Sequence, residues 1–193
     1  MIQIKSAENE SELLGILKLQ EANLYQNLSA EEKSEQGFVT VRHTIEQLRG
    51  MNELAAHVIA NDGDQVAGYI LAMTKASREF IPVLIPMFEQ FDQLFFKGKP
   101  ISEFNYMVIG QICVGKDYRG QRLFDRMYAE YRNKFAQNFE FGITEIATSN
   151  LRSLKAHQRV GFETIHIFQD TLQEWAIVIW NWKDLPSRSE KDS

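Results

Sequence analysis

Apolar and polar residues alternate over Met1-Ile2-Gln3-Ile4-Lys5, which predicts a short first strand from Ile2 to Lys5. From Glu8 to Leu24 the period changes. Leu13, Leu14, Ile16, Leu17, Leu19 and Leu24 recur at helical spacing and predict a helix with a broad apolar stripe. Ser29-Ala30-Glu31-Glu32 has the form of a capped short helix, and Ile45 to Leu54 predicts another. His57–Ala60 and Val66–Met73 are strand-like runs on either side of Asn61-Asp62-Gly63-Asp64, a hairpin turn in which Asp-Gly accepts positive φ. A fourth strand is expected over Asn105–Val114, then a helix over Arg119–Phe139, a strand over Ile143–Thr148 and a helix over Leu151–Val160. Phe162–Phe168 and Trp175–Trp182 predict a closing hairpin, and the polar tail 186–193 is expected to be disordered.

One stretch exceeds this plan. Residues 74–104 carry Phe80, Ile81, Val83, Leu84, Ile85, Met87, Phe88, Phe91, Leu94, Phe95 and Phe96, with Glu89, Gln90, Asp92 and Gln93 falling opposite at helical spacing. Pro82 and Pro86 constrain its first part, because neither donates a helical hydrogen bond. The segment is expected to be a helical insert that covers the sheet; a lid over an acceptor pocket or a dimer contact is the sharper alternative.

Composition narrows the class. A chain of 193 residues that is 44% hydrophobic can bury one sizeable core, so a single domain over 1–185 is expected. The formal net charge of −5 argues against a nucleic-acid surface, where basic clustering is needed. No apolar run approaches the roughly 20 residues of a membrane span. The single cysteine, Cys113, has no internal disulfide partner, which suits a reducing cytoplasm, and in a buried strand it is expected to act as a small hydrophobe. His43, His57 and His166 show no metal-ligand spacing, so no metal is expected.

The chemistry concentrates in the second half. Gln111-Ile112-Cys113-Val114 ends a strand, and Gly115-Lys116-Asp117-Tyr118-Arg119-Gly120-Gln121-Arg122-Leu123-Phe124 forms an arginine-flanked turn that opens a helix. The first amides of a helix lack internal acceptors and sit in the positive end of its dipole, so Arg119, Gly120, Gln121, Arg122, Leu123 and Phe124 can wrap an anion. A second block follows: a strand ending at Asn150, then Ser153, His157, and the stop Gly161-Phe162.

Together the two blocks resemble the GCN5-related N-acetyltransferase (GNAT) superfamily, whose coenzyme-A loop is Arg/Gln-x-x-Gly-x-Gly/Ala. Its second block is Asn-x-x-Ala/Ser-x-x-x-Tyr-x-x-x-Gly-Phe. Val114 and Arg119 keep the family's five-residue spacing, while Arg122, Phe124 and His157 stand where the family has glycine, a small residue and tyrosine. The resemblance covers about residues 105–182 and implies an α/β (α+β) fold, a mixed central sheet of about seven strands flanked by helices and splayed between strands four and five. It implies acetyl-CoA as co-substrate, held by the loop and Asn150 and Ser153. The pantetheine arm would run along the backbone of Ile112, Cys113 and Val114. It also implies a small-molecule or peptide amine as acceptor and direct transfer in a ternary complex, since no candidate nucleophile supports an acyl-enzyme. By resemblance His157 is a candidate acid for the thiolate, and Glu145 matches the catalytic glutamate of the ribosomal-protein N-terminal acetyltransferases. Glu103 and Tyr106 are weaker base candidates, Gln111 lacks the acid some members carry there, and Tyr25, Phe38 and Arg42 are loose candidates for acceptor contact. A non-catalytic acyl-CoA-binding or interaction module is the alternative, and a homodimer built on the insert is compatible with either.

Overall fold

The computed structural model describes residues 1–29, 31 and 38–183. Seven strands form one sheet: β1 (Gln3–Ser6), β2 (Val58–Asp62), β3 (Gln65–Met73), β4 (Tyr106–Val114), β5 (Phe141–Ala147), β6 (Glu163–Gln169) and β7 (Glu174–Asn181). Their order is β1-β2-β3-β4-β5-β7-β6, and every neighbouring pair is antiparallel except β4 and β5. Helices α1 (Glu10–Asn23), α2 (Ile45–Leu54) and α3 (Ile85–Gln93) cover one face, and α4 (Leu123–Phe135) and α5 (Leu151–Val160) lie on the other. Each face has its own core, built on Ile16, Leu48, Tyr69 and Phe91 on one side and Met127, Tyr128, Tyr131 and Trp180 on the other.

Local chemistry explains the boundaries. Asn9 accepts from the Glu12 amide at 3.0 Å to start α1, and Thr44 with Gln47 forms a reciprocal capping box at α2. Gly161 ends α5 at φ 112°, and a Cβ there would lie 2.8 Å from the Trp180 indole nitrogen, so glycine satisfies both backbone and packing. The helix expected from Arg119 begins only at Leu123. Gly120 at φ 78° and Arg122 at φ 58° hold the preceding turn in left-handed backbone, which an α-helix cannot include. The short helix expected over Ser29–Glu32 lies partly, and the 186–193 tail wholly, outside the described residues.

The insert is built into the body. Phe88 and Phe91 of α3 are fully buried, and Phe96, Phe104, Tyr106 and Phe141 pack beside them, the last two rings stacked at 5.7 Å. Lys75 Nζ donates to the Ser102 carbonyl at 2.6 Å and Arg78 meets Asp92 at 3.4 Å, tying the insert to itself at both ends. These contacts gather where β4 and β5 begin, at Tyr106 and Phe141. Phe91→Ala is therefore expected to cost about 3–5 kcal/mol, as for a buried aromatic truncation. An unfolding free energy from urea titration lowered by less than about 1 kcal/mol would show the insert to be a detachable cover.

Candidate active site

The β4–β5 ladder is short. Parallel pairing runs only over Tyr106–Val108 with Phe141–Ile143, and beyond Ile143 the strands part. The Thr144 hydroxyl crosses the opening gap to the Ile109 carbonyl at 2.8 Å. On the other edge of β4 the β3 register skips a residue, with Ala72 opposite Ile109 and Leu71 opposite Gln111, so Gly110 is the extra residue of a bulge. Two clefts meet in this fork. The larger, about 620 Å³, opens on the α4 and α5 N-termini, and the smaller, about 80 Å³, lies toward Gln111, Glu145 and Trp175. They share Phe38, Val39, Ile112, Asn150 and Ser153 as a common wall, so the two clefts lie side by side at the fork. No residue of 74–104 lines either cleft.

The larger mouth is cationic. Arg119, Arg122, Arg152, Lys155 and Arg159 line it, with Asp125 as the acid among them, paired to Arg159 at 2.8 Å. Arg122 N-caps α4 without a side-chain bond, and its own side chain stays 84% exposed, 3.8 Å from Asp125. The Arg126 amide reaches the Arg122 carbonyl at 3.1 Å, the first such bond of α4, which leaves the amides before it for an outside acceptor. Arg119 turns inward, donating to the Val114 carbonyl at 3.3 Å and to Asn23 Oδ1 at 3.0 Å, so its guanidinium braces the loop against α1. Ile112, Cys113, Val114, Gly120, Leu123 and Phe124 line the same cleft, whereas Gln121 is exposed and does not. Phe124 packs edge-on against Tyr128 at 5.0 Å and His157 at 5.3 Å, extending the core rather than filling the loop.

Asn150 caps α5, accepting from the Ser153 amide at 3.3 Å, and its amide nitrogen donates to the Phe38 carbonyl at 3.2 Å. His157 is buried one turn further along, at the edge of the smaller cleft. Its Nδ1 donates to the Ser153 carbonyl at 2.8 Å, and Nε2 accepts from the Tyr128 hydroxyl at 2.7 Å. Burial pushes its pKa down to about 4, so the ring is neutral and both nitrogens are engaged.

At the far side of the fork Glu145 faces the α1 side of the sheet, on the same face as its β7 partner Ile177. Burial, with the nearby charge of Asp170, raises its pKa to about 7. Asp170 sits in the β6–β7 turn, accepting from the Leu172 and Gln173 amides at 2.7 Å and from the Trp175 indole at 2.8 Å. Trp175 thereby becomes a fixed wall of the smaller cleft, which Glu145 also lines. Phe38 lines both clefts and Tyr25 packs on it at 4.8 Å, while Arg42 is held by Glu21 at 2.6 Å. Tyr106 lies at the closed end of the fork and Glu103 in the turn before it, so neither meets Glu145. Cys113 is buried and its thiol is pushed up to about 12 by burial, which fits a packing residue. Among the described residues no group of three His, Cys, Asp or Glu side chains could hold a metal, and no helix is long and apolar enough to cross a membrane.

The chain with this forked β4–β5 pair and cationic mouth matches a known family by sequence. The profile of the acetyltransferase (GNAT) family matches residues 19–162, and the chain belongs to that family. No protein with a curated description matches by sequence. Solved structures share the fold. The NatC complex bound to Gag peptide and CoA gives a TM-score of 0.63 at 16% identity, covering 93% of this chain and 98% of that one. The Escherichia coli ribosomal-protein-S18-alanine N-acetyltransferase gives 0.61 at 12%, covering 93% and 92%. Arabidopsis thaliana Naa50 in complex with a CoA-Ac-MVNAL bisubstrate analogue gives 0.60 at 13%, covering 92% and 97%.

Two outcomes follow from the loop and the buried rings. Left-handed backbone at Arg122 costs a side-chain-bearing residue about 1–2 kcal/mol. Arg122→Gly is therefore expected to hold or raise the thermal midpoint, while Arg122→Val lowers it; equal melting of the two variants would contradict the strain. His43 and His157 have pKa values held down to about 4 and His57 to about 3 by burial. The unfolded chain protonates these rings near about 6.5, so it binds more protons than the native state below that pH and stability falls as pH drops toward 4. Glu145 acts oppositely between its raised value of about 7 and the ordinary carboxylate range, but one group opposes three. Chemical denaturation at pH 7 and pH 5 should show a loss of about 1 kcal/mol or more per pH unit below 6.5; no loss would refute the buried neutral histidines.

Proposed function

We propose that the chain is an N-acetyltransferase that moves an acetyl group from acetyl-CoA directly to a primary amine in a ternary complex. The observation that carries this reading is the fork itself, where a cationic cleft at the α4 N-terminus adjoins a smaller cleft lined by the half-buried Glu145 carboxylate. The residues present suit such a co-substrate. The α4 N-terminus, Arg122, Arg152 and Lys155 are placed for a pyrophosphate and a further phosphate, and the walls at Ile112, Val114 and Ser153 suit a thin amide-bearing arm. Bound there, acetyl-CoA supplies the thioester.

At neutral pH an alkylammonium with a pKa near ~10 is almost wholly protonated and not nucleophilic. Glu145, held near 7 by burial, can accept that proton directly or through water and remain available for the next turnover. The neutral nitrogen then attacks the thioester carbon. Amides on the edge of β4 left unpaired by the fork are placed to stabilise the developing oxyanion, an interaction worth about 3–4 kcal/mol per donor. Collapse of the adduct breaks the carbon–sulfur bond, and the proton shed by the new amide nitrogen balances the thiolate. The geometry supports His157 as the neutral pivot that holds Tyr128 and α5 at the fork, because giving up its Nδ1 proton would break its bond to Ser153.

Thiol release from acetyl-CoA with a panel of primary amines tests the reading. Glu145→Gln should lower kcat by at least about 100-fold while leaving acetyl-CoA affinity within about twofold. In the unmodified protein kcat/KM should rise with pH through an acid limb near 7, absent from the variant. A fall of less than twofold removes Glu145 as base. Saturable acetyl-CoA binding without turnover of any amine would instead support a non-catalytic binding module.

A further inference from the structure

Four polar side chains form a buried chain from α1 into β4: Gln20 (1% exposed), His43 (4%), Tyr69 (0%) and Gln111 (9%). Backbone groups at its ends set the direction of every bond. The His43 amide donates to Gln20 Oε1 at 2.8 Å, which turns the Gln20 nitrogen toward His43 Nδ1 at 2.9 Å and Gln111 Oε1 at 2.8 Å. The Tyr69 hydroxyl donates to the same Gln111 oxygen at 2.6 Å, and Gln111 Nε2 donates to the Val41 carbonyl at 2.9 Å. A flipped Gln111 would set its nitrogen against the Gln20 nitrogen and its oxygen against the Val41 carbonyl. One orientation therefore satisfies the chain. A primary amide carries two N–H donors; one is spent on Val41, and Gln111 lines the smaller cleft.

As core filling this is an expensive arrangement. His43 accepts at Nδ1, so its proton sits on Nε2, which finds no partner among the described residues. The β4 bulge adds the second observation. By inserting Gly110 it brings Gln111 to the α1 side, paired with Leu71, the same side that Glu145 faces from β5. Gln111 and Glu145 each stand two sheet positions past the last ladder pair, Val108 and Ile143.

We propose that Gln111 is a specificity-determining residue, its second N–H held for a carbonyl oxygen adjacent to the reacting amine, so that acceptors are α-amino carbonyl compounds such as a peptide N-terminus or an amino-acid amide. Gln20 is the positioning residue that fixes the Gln111 amide. The inference rests on the acetyltransferase reading above and names the acceptor class for it.

The probes are alaninamide and isopropylamine, which differ in exchanging the carboxamide for a methyl group. Rates are compared per concentration of free base, since the two amines differ in pKa. The protein as it stands should favour alaninamide by at least about tenfold in kcat/KM, roughly the worth of one good hydrogen bond. Gln111→Met should bring the ratio close to one, chiefly through KM for alaninamide, and Gln20→Met should lower it partway. Equal use of both amines by the unaltered protein, or an equal loss for both in Gln111→Met, overturns the proposal. Should Gln111→Met fail to fold, the ¹⁵N side-chain amide resonance of Gln111 decides the matter in the unaltered protein with CoA added. A shift on titrating alaninamide but not isopropylamine supports the proposal, and no shift overturns it. Coenzyme binding with acetylation of neither amine would count against the acetyltransferase reading alone, because the resonance titration still judges Gln111.

Discussion

The parting of β4 from β5 after three ladder pairs is the constraint on which the site depends. A parallel pair that continued would satisfy its own amides and carbonyls and close the sheet. Here the ladder stops at Val108 and Ile143, Thr144 spans the start of the opening with its hydroxyl, and the backbone beyond is left for another partner. An open fork needs its closed end held firmly. The insert provides this: Phe96 and Phe104 pack on Phe141, which stacks on Tyr106, the first pair of that ladder, and Phe88 and Phe91 belong to the same core. Its apolar residues thus serve the site from the opposite end, by fixing the hinge of the fork.

The loop at the cationic mouth holds a charged side chain on left-handed backbone. Arg122 adopts the left-handed conformation that a glycine would take without cost, and it stands as the N-cap of α4. What changes is the charge. Arg119, whose guanidinium would be expected to face an anion, is drawn inward to Val114 and Asn23, and Arg122 stands exposed at the mouth instead. Two arginines have divided the tasks of bracing the loop and carrying its charge.

Burial sets the electrostatics of the fork more than pairing does. The same desolvation that keeps His157 neutral at about 4 raises Glu145 to about 7, because each environment penalises whichever form is charged. Asp170 reinforces the second effect while staying ionised under three hydrogen-bond donors in the β6–β7 turn. The protonation states on the two sides of the fork therefore follow from how deeply each group is set, and the neutral Gln111 can share that space with Glu145 without adding charge.

Much of this was legible along the chain. The 3.6-residue period marked α1 and α2, Asn150 announced the α5 cap, and Gly161-Phe162 its end, because caps and periodicity are short-range properties of neighbouring residues. The loop from Arg119 to Phe124 was in view for the same reason, whereas Glu145 and Ser153 came into view only through the resemblance to the acetyltransferase family. The start of α4 was misplaced by four residues, since nothing in the letters of Arg122 signals a positive φ. Alternation could not reveal the Gly110 bulge, which decides that Gln111 faces α1, nor the pairing of Asp170 with Trp175 that makes the indole a wall of the smaller cleft. Nor could it show that Gln20, His43 and Tyr69 converge on Gln111 from as far as 91 residues away. Elements and caps are dictated locally; the register shift, the depth of a titrating group and the meeting of distant polar side chains arise only when the sheet closes and water is excluded.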